Sequence, residues 1–329
     1  MERESKMFDF ISIGEILIDF APYGEKSQRL FQQNPGGAPA NVAAVLSKLG
    51  CQTAFVGKVG KDAFGQSCID ALKEVGVSTK YMPVSEEFPT TLAFVTLDDS
   101  GNREFSFYRK HTADVNLSLT DIEPLAELRP RFFHFGSVSL TAEPSRTAVL
   151  EAVKEAKEKG SIISYDPNLR LPLWDSAQSA KQAILETIGL ADVLKISEEE
   201  AEFLFGTSDC QKAARVIEET YEIPFIIITR GPKGCFARVN GMEFTSYAYD
   251  LKTVDTTGAG DSFLAGVLYC WLKSGKSLGE LTQQELESFF DFANATGSLV
   301  TTKKGAIPAV PSLEEIQYCM EHEPKLMLE

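Results

Sequence analysis

No stretch of this sequence approaches the roughly 18 consecutive apolar residues that a membrane-spanning helix needs. Residues 1–10 are charged and lack the long apolar core of a secretory leader. Cysteine is present but unorganised: six residues stand at positions 51, 68, 210, 235, 270 and 319, and no C-x-x-C pair occurs. Three histidines, His111, His134 and His322, share no metal-ligand spacing. These absences argue against a zinc site or a disulfide framework, and scattered free thiols fit a reducing cytoplasm. Positive charge is scarce as well. With 32 Lys and Arg against 47 Asp and Glu, the net charge is −15, which argues against nucleic acid or an anionic membrane as partner. A phosphate ligand would have to be held by backbone and a few cations. No internal repeat, low-complexity segment or interdomain linker divides the 329 residues.

What is present is a β–α rhythm. A strand-like run spans Phe10 to Phe20, and a polar connection leads to Gly36-Gly37-Ala38-Pro39-Ala40-Asn41. Val42, Val45, Leu46 and Leu49 then recur at helical spacing, closed by Gly50. Leu92–Leu97 and Arg103–Tyr108 flank Asp98-Asp99-Ser100-Gly101-Asn102, the pattern of a β-hairpin, in a region otherwise short of helices. This predicts a small separate sheet. From residue 130, short apolar runs at 132–135, 162–165, 193–196 and 225–228 alternate with helical patterns, as in a doubly wound, mostly parallel α/β sheet flanked by helices. His134, inside one such run, reads as a hydrogen-bonded core histidine. Polar residues follow each run: Gly136-Ser137, Asp166 to Arg170, Ser197 to Glu200, and Thr229 to Gly234. In open α/β sheets the ligand crevice lies at those carboxyl ends.

The most specific segment is Asp255-Thr256-Thr257-Gly258-Ala259-Gly260-Asp261, between a β-like run ending at Val254 and an amphipathic helix carrying Phe263, Leu264, Val267, Leu268, Trp271 and Leu272. Small residues at a helix N-terminus let an anion approach unpaired N–H groups at the positive end of the helix dipole. A carboxylate beside such a site, Asp261, suits a base that deprotonates a hydroxyl attacking a phosphoryl group. A Gly-rich turn with an acidic helix start is the plainer reading of G-A-G-D alone.

Taken with Gly36 to Ala43 and Thr229-x-Gly231-x-x-Gly234, this segment resembles the ribokinase-like, pfkB-type sugar kinases, and the resemblance covers nearly the whole chain. Phe133 to Leu140, Asp166-Pro167-Asn168-Leu169-Arg170 with Leu173-Trp174, and Glu104 to Arg109 are most similar to fructokinase segments. The D-x-N-x-R and L-W pattern is also similar to 2-keto-3-deoxygluconate kinases and aminoimidazole riboside kinases. The resemblance implies one ribokinase-like α/β domain over residues 1–329, with a lid sheet inserted at about 15–35 and 90–113, using ATP and Mg2+. It implies Asp261 as catalytic base, the backbone of Gly258, Ala259 and Gly260 as anion hole, and Arg170 beside the phosphates. Asp19, Gly36, Gly37, Asn41, Arg109, Ser137 and Asn168 match the sugar side. Lys195, Glu200, Thr229, Gly231, Gly234 and Asn294 match the ATP side, with Glu200 an indirect organiser of Mg2+; Ser197 stands where the family's N-x-x-E motif has Asn.

Asp255 with the backbone carbonyls of Thr257, Val300, Lys303 and Gly305 corresponds to positions where family members hold a monovalent cation, K+. Competing readings exist for several of these residues: a solvated strand end for Asp19, a helix cap for Asn41, a solvated helix start for Glu198 to Glu200, and surface cations for Lys195 and Arg170. The apolar residues of the hairpin suggest a homodimer through the lid. A non-catalytic sugar-binding regulator is the rival reading from another class, opposed by the retained Asp261, G-A-G turn and Glu200. A dinucleotide-dependent dehydrogenase is opposed by the absence of G-x-G-x-x-G after the first strand.

Overall fold

The computed structural model describes residues 8–24, 30–97 and 103–326. In chain order, β1 (Phe10–Ile13), β2 (Leu17–Tyr23) and β3 (Leu30–Gly36) precede α1 (Ala38–Lys48), β4 (Thr53–Val56), β5 (Val59–Gly60) and α2 (Ala63–Glu74). Then come β6 (Val84–Ser85), β7 (Leu92–Leu97), β8 (Arg103–Tyr108), the single-turn α3 (Leu119–Ile122), β9 (Phe132–Gly136) and α4 (Ser145–Glu158). Strand β10 (Ile162–Asp166), α5 (Ala177–Ile188), β11 (Val193–Ser197), α6 (Glu198–Phe205), α7 (Cys210–Tyr221) and β12 (Phe225–Thr229) continue the alternation. The chain closes with β13 (Cys235–Val239), β14 (Met242–Ser246), α8 (Ala259–Ser274), α9 (Gln283–Val300) and α10 (Leu313–His322).

The main sheet runs β14-β13-β12-β11-β10-β9-β1-β4, parallel from β12 to β4. Side-chain alternation divides its core in two. Phe10, Phe132 and Phe225 point into one cluster, with residues of α1, α8, α9 and α10. Their neighbours Ile11, Phe133 and Ile226 point into the other, with α4, α5 and α7. Both faces are therefore covered, which is why the strands read as continuous apolar runs rather than as alternation. His134 lies wholly buried, its Nδ1 3.1 Å from Ser164 Oγ, and burial lowers its pKa to about 4, so it is a neutral core residue as expected.

Three local expectations needed correction. The single run from Phe10 to Phe20 is two strands in two sheets. The amide of Gly14 ends β1 by donating to Val56 O, and that of Ile18 begins the second sheet by donating to Thr91 O. Residues before Val254 form no strand, because the amides of Val254 and Asp255 both donate to Thr301 O at the end of α9. At the other edge, β13 pairs antiparallel with β12 and β14, two strands that the sequence reading did not separate.

The small sheet, order β3-β2-β7-β8, lies where residues 15–35 and 90–113 were expected to form one. The expected hairpin turn, Asp98 to Asn102, lies outside the described residues; the strands on either side of it do pair antiparallel. Phe20 stacks on Phe94 (4.8 Å between ring centres) and meets Phe64 of α2 edge-on at 5.7 Å, so one face of this sheet leans partly on α2.

Trp271 of α8 is 1% exposed, packs edge-on against Phe132 at 5.2 Å and donates its Nε1–H to Lys276 O. Trp271→Ala is expected to destabilise the fold by about 3–5 kcal/mol, as large-to-small changes in rigid cores do. Urea denaturation measures this, and a loss below about 1 kcal/mol would show that the α8–sheet interface repacks freely.

Candidate active site

The turn before α8 is shaped by Gly258, the N-cap, at φ 78°; a Cβ there would also sit 2.7 Å from the Ala306 side chain. Asp255 secures the turn on both sides: Oδ1 accepts from the Thr257 amide at 2.8 Å and Oδ2 from the Gly305 amide at 3.1 Å. This brings the end of α9, Val300, and the loop after it, with Lys303, beside the turn. Asp261 falls in the first turn of α8 but does not cap it. Its Oδ2 accepts from Asn41 Nδ2 at 2.8 Å and its Oδ1 from Asn168 Nδ2 at 3.4 Å. Burial and the nearby Asp166 raise its pKa from 3.8 to about 6, against the opposing pull of Lys195.

Lys195 is buried, not a surface cation. Its Nζ pairs with Asp166 Oδ2 at 2.8 Å, and a Cβ placed on Gly260 would lie 2.9 Å from it. The ammonium therefore stands directly beside the small-residue turn. Burial alone would lower its pKa, but Asp166, Glu200 and Asp261 outweigh burial and keep it charged. Asp166 Oδ1 has no hydrogen-bond partner among the described residues. Asp166 belonged to a recognised segment, yet received no role from sequence; its signal was its place at a strand's carboxyl end.

Glu200 differs from expectation. Both carboxylate oxygens are taken by backbone, Leu169 N on Oε1 and Ser197 N on Oε2, each at 2.7 Å. With Ser197 it forms the capping box of α6, and it lies behind the cleft, whereas the exposed Glu199 lines it. Its geometry is that of a clamp on the loop carrying Asn168 and Arg170. Asn168, at φ 50°, is held in the left-handed region with its amide turned to Asp261. Arg170 is exposed at the cleft mouth, with one N–H on Leu169 O.

A cleft of ≈ 770 Å³ joins most of the remaining expected residues: Asp19, Gly37 and Asn41 at the small sheet, then Gly258 to Asp261, then Thr229, Gly231, Gly234 and Asn294. Gly36 packs beside it, where a Cβ would be 3.4 Å from Asp19 Oδ2. Gly37 tolerates no side chain, since a Cβ would meet Glu15 O at 2.3 Å. The N-cap of α1 is Gly37 and makes no side-chain cap, so Asn41 is not a helix cap; its Oδ1 is buried without a partner among the described residues. Ser137 is buried at the sheet end, its Oγ likewise without a partner among them.

Arg109 is a correction. Its guanidinium is committed to the protein: Nε to Asp114 Oδ2 at 2.6 Å, the two terminal nitrogens to Thr141 Oγ1 and Val138 O. Each nitrogen of the buried fork thus has a hydrogen-bond partner within the protein. It ties the end of β8 to the turn after β9. The residue that sequence missed is Glu15, buried and lining the cleft between Asp19 and Val138. It accepts from the Ala38 amide at 3.2 Å and from Ser139 Oγ at 3.4 Å, and burial lifts its pKa to about 7. The G-E dipeptide between two strands carried no periodic or motif signal.

Known proteins resemble this chain over nearly its whole length. A profile described as "pfkB family carbohydrate kinase" matches residues 7–313. The chain is 40% identical over 320 residues to the probable fructokinase-5 of Arabidopsis thaliana, covering 96% of this chain and 98% of that protein. A fructokinase double mutant from Vibrio cholerae O395, solved with fructose, ADP and a potassium ion, superimposes with a TM-score of 0.86 at 32% identity, over 96% of this chain and all (100%) of that one. The aminoimidazole riboside kinase of Salmonella enterica, with its riboside and an ATP analogue, gives a TM-score of 0.82 at 27% identity, over 94% of this chain and 99% of that one.

Carbonyl-region NMR of aspartate-labelled protein is expected to show the Asp261 carboxyl titrating near pH 6. Asp166→Asn removes a like charge and leaves Lys195 uncompensated, so the titration should move to lower pH. An unchanged or upward-moving midpoint would contradict the electrostatic assignment.

Proposed function

The chain belongs to the pfkB family of carbohydrate kinases, and on that premise we propose that it transfers the γ-phosphoryl group of ATP to fructose, giving fructose 6-phosphate and ADP. The observation that carries this reading is the Asp261 carboxylate, poised near neutrality at the N-terminus of α8 and held between Asn41 and Asn168. In the proposed step Asp261 takes the proton of the sugar hydroxyl as its oxygen bonds to the γ-phosphorus, and the bond to the β-phosphate oxygen breaks to release ADP. The Gly258–Gly260 amides and the α8 dipole meet the charge on the transferring group, and Lys195 and Arg170 add cations. Asp19 and the orphaned Asn41 Oδ1 are acceptors suited to sugar hydroxyls. The small sheet serves as a lid that keeps water, the competing nucleophile, from the phosphoryl group.

Magnesium fits as a companion of the nucleotide. No group of three acidic or imidazole ligands forms a metal site among the described residues, and a small hard cation commonly binds through substrate phosphates and one or two carboxylates. The unpartnered Oδ1 of Asp166 is the acceptor this chain offers near the turn, and Glu200 supports it only through the loop it clamps. When bound, the ion neutralises phosphate charge. Potassium is proposed beside Asp255, with the carbonyls of Thr257, Val300, Lys303 and Gly305; the support is the carboxylate that draws these two loops together. Six free thiols favour a reducing cytoplasm as the setting.

Fructose is favoured over 2-keto-3-deoxygluconate by the commitment of Arg109. A carboxylate substrate wants a cation over the sugar, and this one is spent on Asp114. Asp261→Asn should lower kcat by roughly 10²–10⁴ with little change in ATP affinity. In a coupled ADP-release assay of fructose, ribose, glucose and ketodeoxygluconate, fructose should lead in kcat/KM. Near-wild-type turnover of the variant would relocate the base, and a tenfold lead by ribose or ketodeoxygluconate would overturn the choice of sugar.

A homodimer through the lid is proposed from the exposed aromatic face around Phe94. Phe31 and Tyr108 meet Phe94 edge-on, each with ring centres 5.5 Å away, and remain 45% and 66% exposed. Sedimentation velocity should show a dimer that Tyr108→Glu weakens; a wild-type monomer at micromolar concentration would refute it.

A further inference from the structure

On the α9 side of the Gly-rich turn, the cleft is walled by a segment to which no motif drew attention. Pro324–Leu326 runs back from α10 and pairs with residues 248–250. The Asp250 amide donates to Pro324 O, and the Leu326 amide to Ala248 O, both at 2.8 Å. Tyr249 and Lys325 oppose each other as an antiparallel bridge. The pairing is buckled to α9 by charge: Lys325 Nζ lies 2.6 Å from Asp291 Oδ1, which also accepts from the Tyr249 hydroxyl at 2.9 Å. The Tyr249 amide donates to Ser298 Oγ, one turn along α9 from Asn294. Tyr249 is 3% exposed, and Leu326 forms part of the cleft wall with Leu251 and Ala248.

We propose that Pro324–Leu326 forms a wall of the purine pocket, with Leu326 as the apolar surface against which the nucleotide's base packs and Lys325 as the residue that positions it. This deepens the reading that the far end of the cleft takes ATP, and rests on it. Leu326, Ala248 and Leu251 offer an apolar surface, which suits the face of a heterocycle, while the phosphates are met at the Gly258 turn of the same cleft. Lys325 is spent on Asp291 and is not available as a phosphate cation. The pocket therefore grips the base by burial of apolar surface, an effect that a single charged substitution removes.

The test separates base from phosphate. ADP and inorganic pyrophosphate are titrated calorimetrically into the full-length wild-type protein and into Leu326→Asp and Leu326→Met. Leu326→Asp should weaken ADP about tenfold, the order expected for exposing one apolar contact, and leave pyrophosphate within about twofold. Leu326→Met, which keeps volume and polarity, should retain ADP affinity within about twofold. An unchanged ADP affinity in Leu326→Asp overturns the proposal, and so does an equal loss for both ligands, which would mean that the segment acts through the fold. Wild-type protein that binds neither ligand would refute the ATP reading itself, a result distinct from either.

Discussion

A hydrogen bond from Asn41 Nδ2 to Asp261 Oδ2, 2.8 Å long, joins residues 220 positions apart, and the cleft is organised around it. It requires the start of α1 to reach the start of α8. That approach is possible only because both turns are built from residues with little or no side chain. Gly37 passes the Glu15 carbonyl where a Cβ would collide, and Gly258 passes Ala306 in the same way. Asn41 thereby stands with its Nδ2 on Asp261 and its Oδ1 buried without a partner among the described residues. The helix whose dipole favours an anion carries the Asp261 carboxylate in its first turn, at the same point.

Charge balance around this contact is tight. Asp166, Asp261, Glu200 and Lys195 are all buried, and the one ammonium serves three carboxylates. Both Glu200 oxygens accept from backbone amides, yet burial, with Asp166 nearby, still raises its pKa against the pull of Lys195 and those amides. Asp166 is satisfied on one oxygen only, and Asp261 by two side-chain amides. Burial and the nearby Asp166 raise the pKa of Asp261 to about 6, toward the range useful in a base. An acidic chain can hold a polyphosphate because its negative groups here are pinned, and because one lysine is presented at the turn.

The joints between the two sheets are polar and buried. Glu15 links the start of α1 to the turn after β9, while Arg109 links the end of β8 to the same turn and to Asp114. Asp114 in turn accepts from Thr112 Oγ1 at 2.8 Å and from Thr91, at the entrance of β7. The chain crossings between the two sheets are therefore held by charge-assisted hydrogen bonds, whose directional geometry fixes how the small sheet sits against the main one.

By itself, the sequence determined the alternation of buried strands and helices, the N-terminal position of Asp255 to Asp261 on a helix, and the convergence of polar residues on one rim. These follow from local rules: side-chain period, turn chemistry, and the fact that parallel strands deliver their carboxyl ends together. Membership of a kinase family was legible for the same reason, since three separated motifs each carry their function in contiguous residues. Only the tertiary structure decided what the isolated charged residues do. Arg109 reads as a ligand cation until Asp114 is seen against it, the clamp through which Glu200 acts shows only once two amides are found on its oxygens, and the competing surface reading of Lys195 falls only when it is found buried against Asp166. Glu15 and Leu326 had no signal at all, and Asp166 only its place at a strand's carboxyl end. The role of a charged or apolar side chain is set by its partner, and here the partners lie tens to hundreds of residues away, where no periodicity reaches.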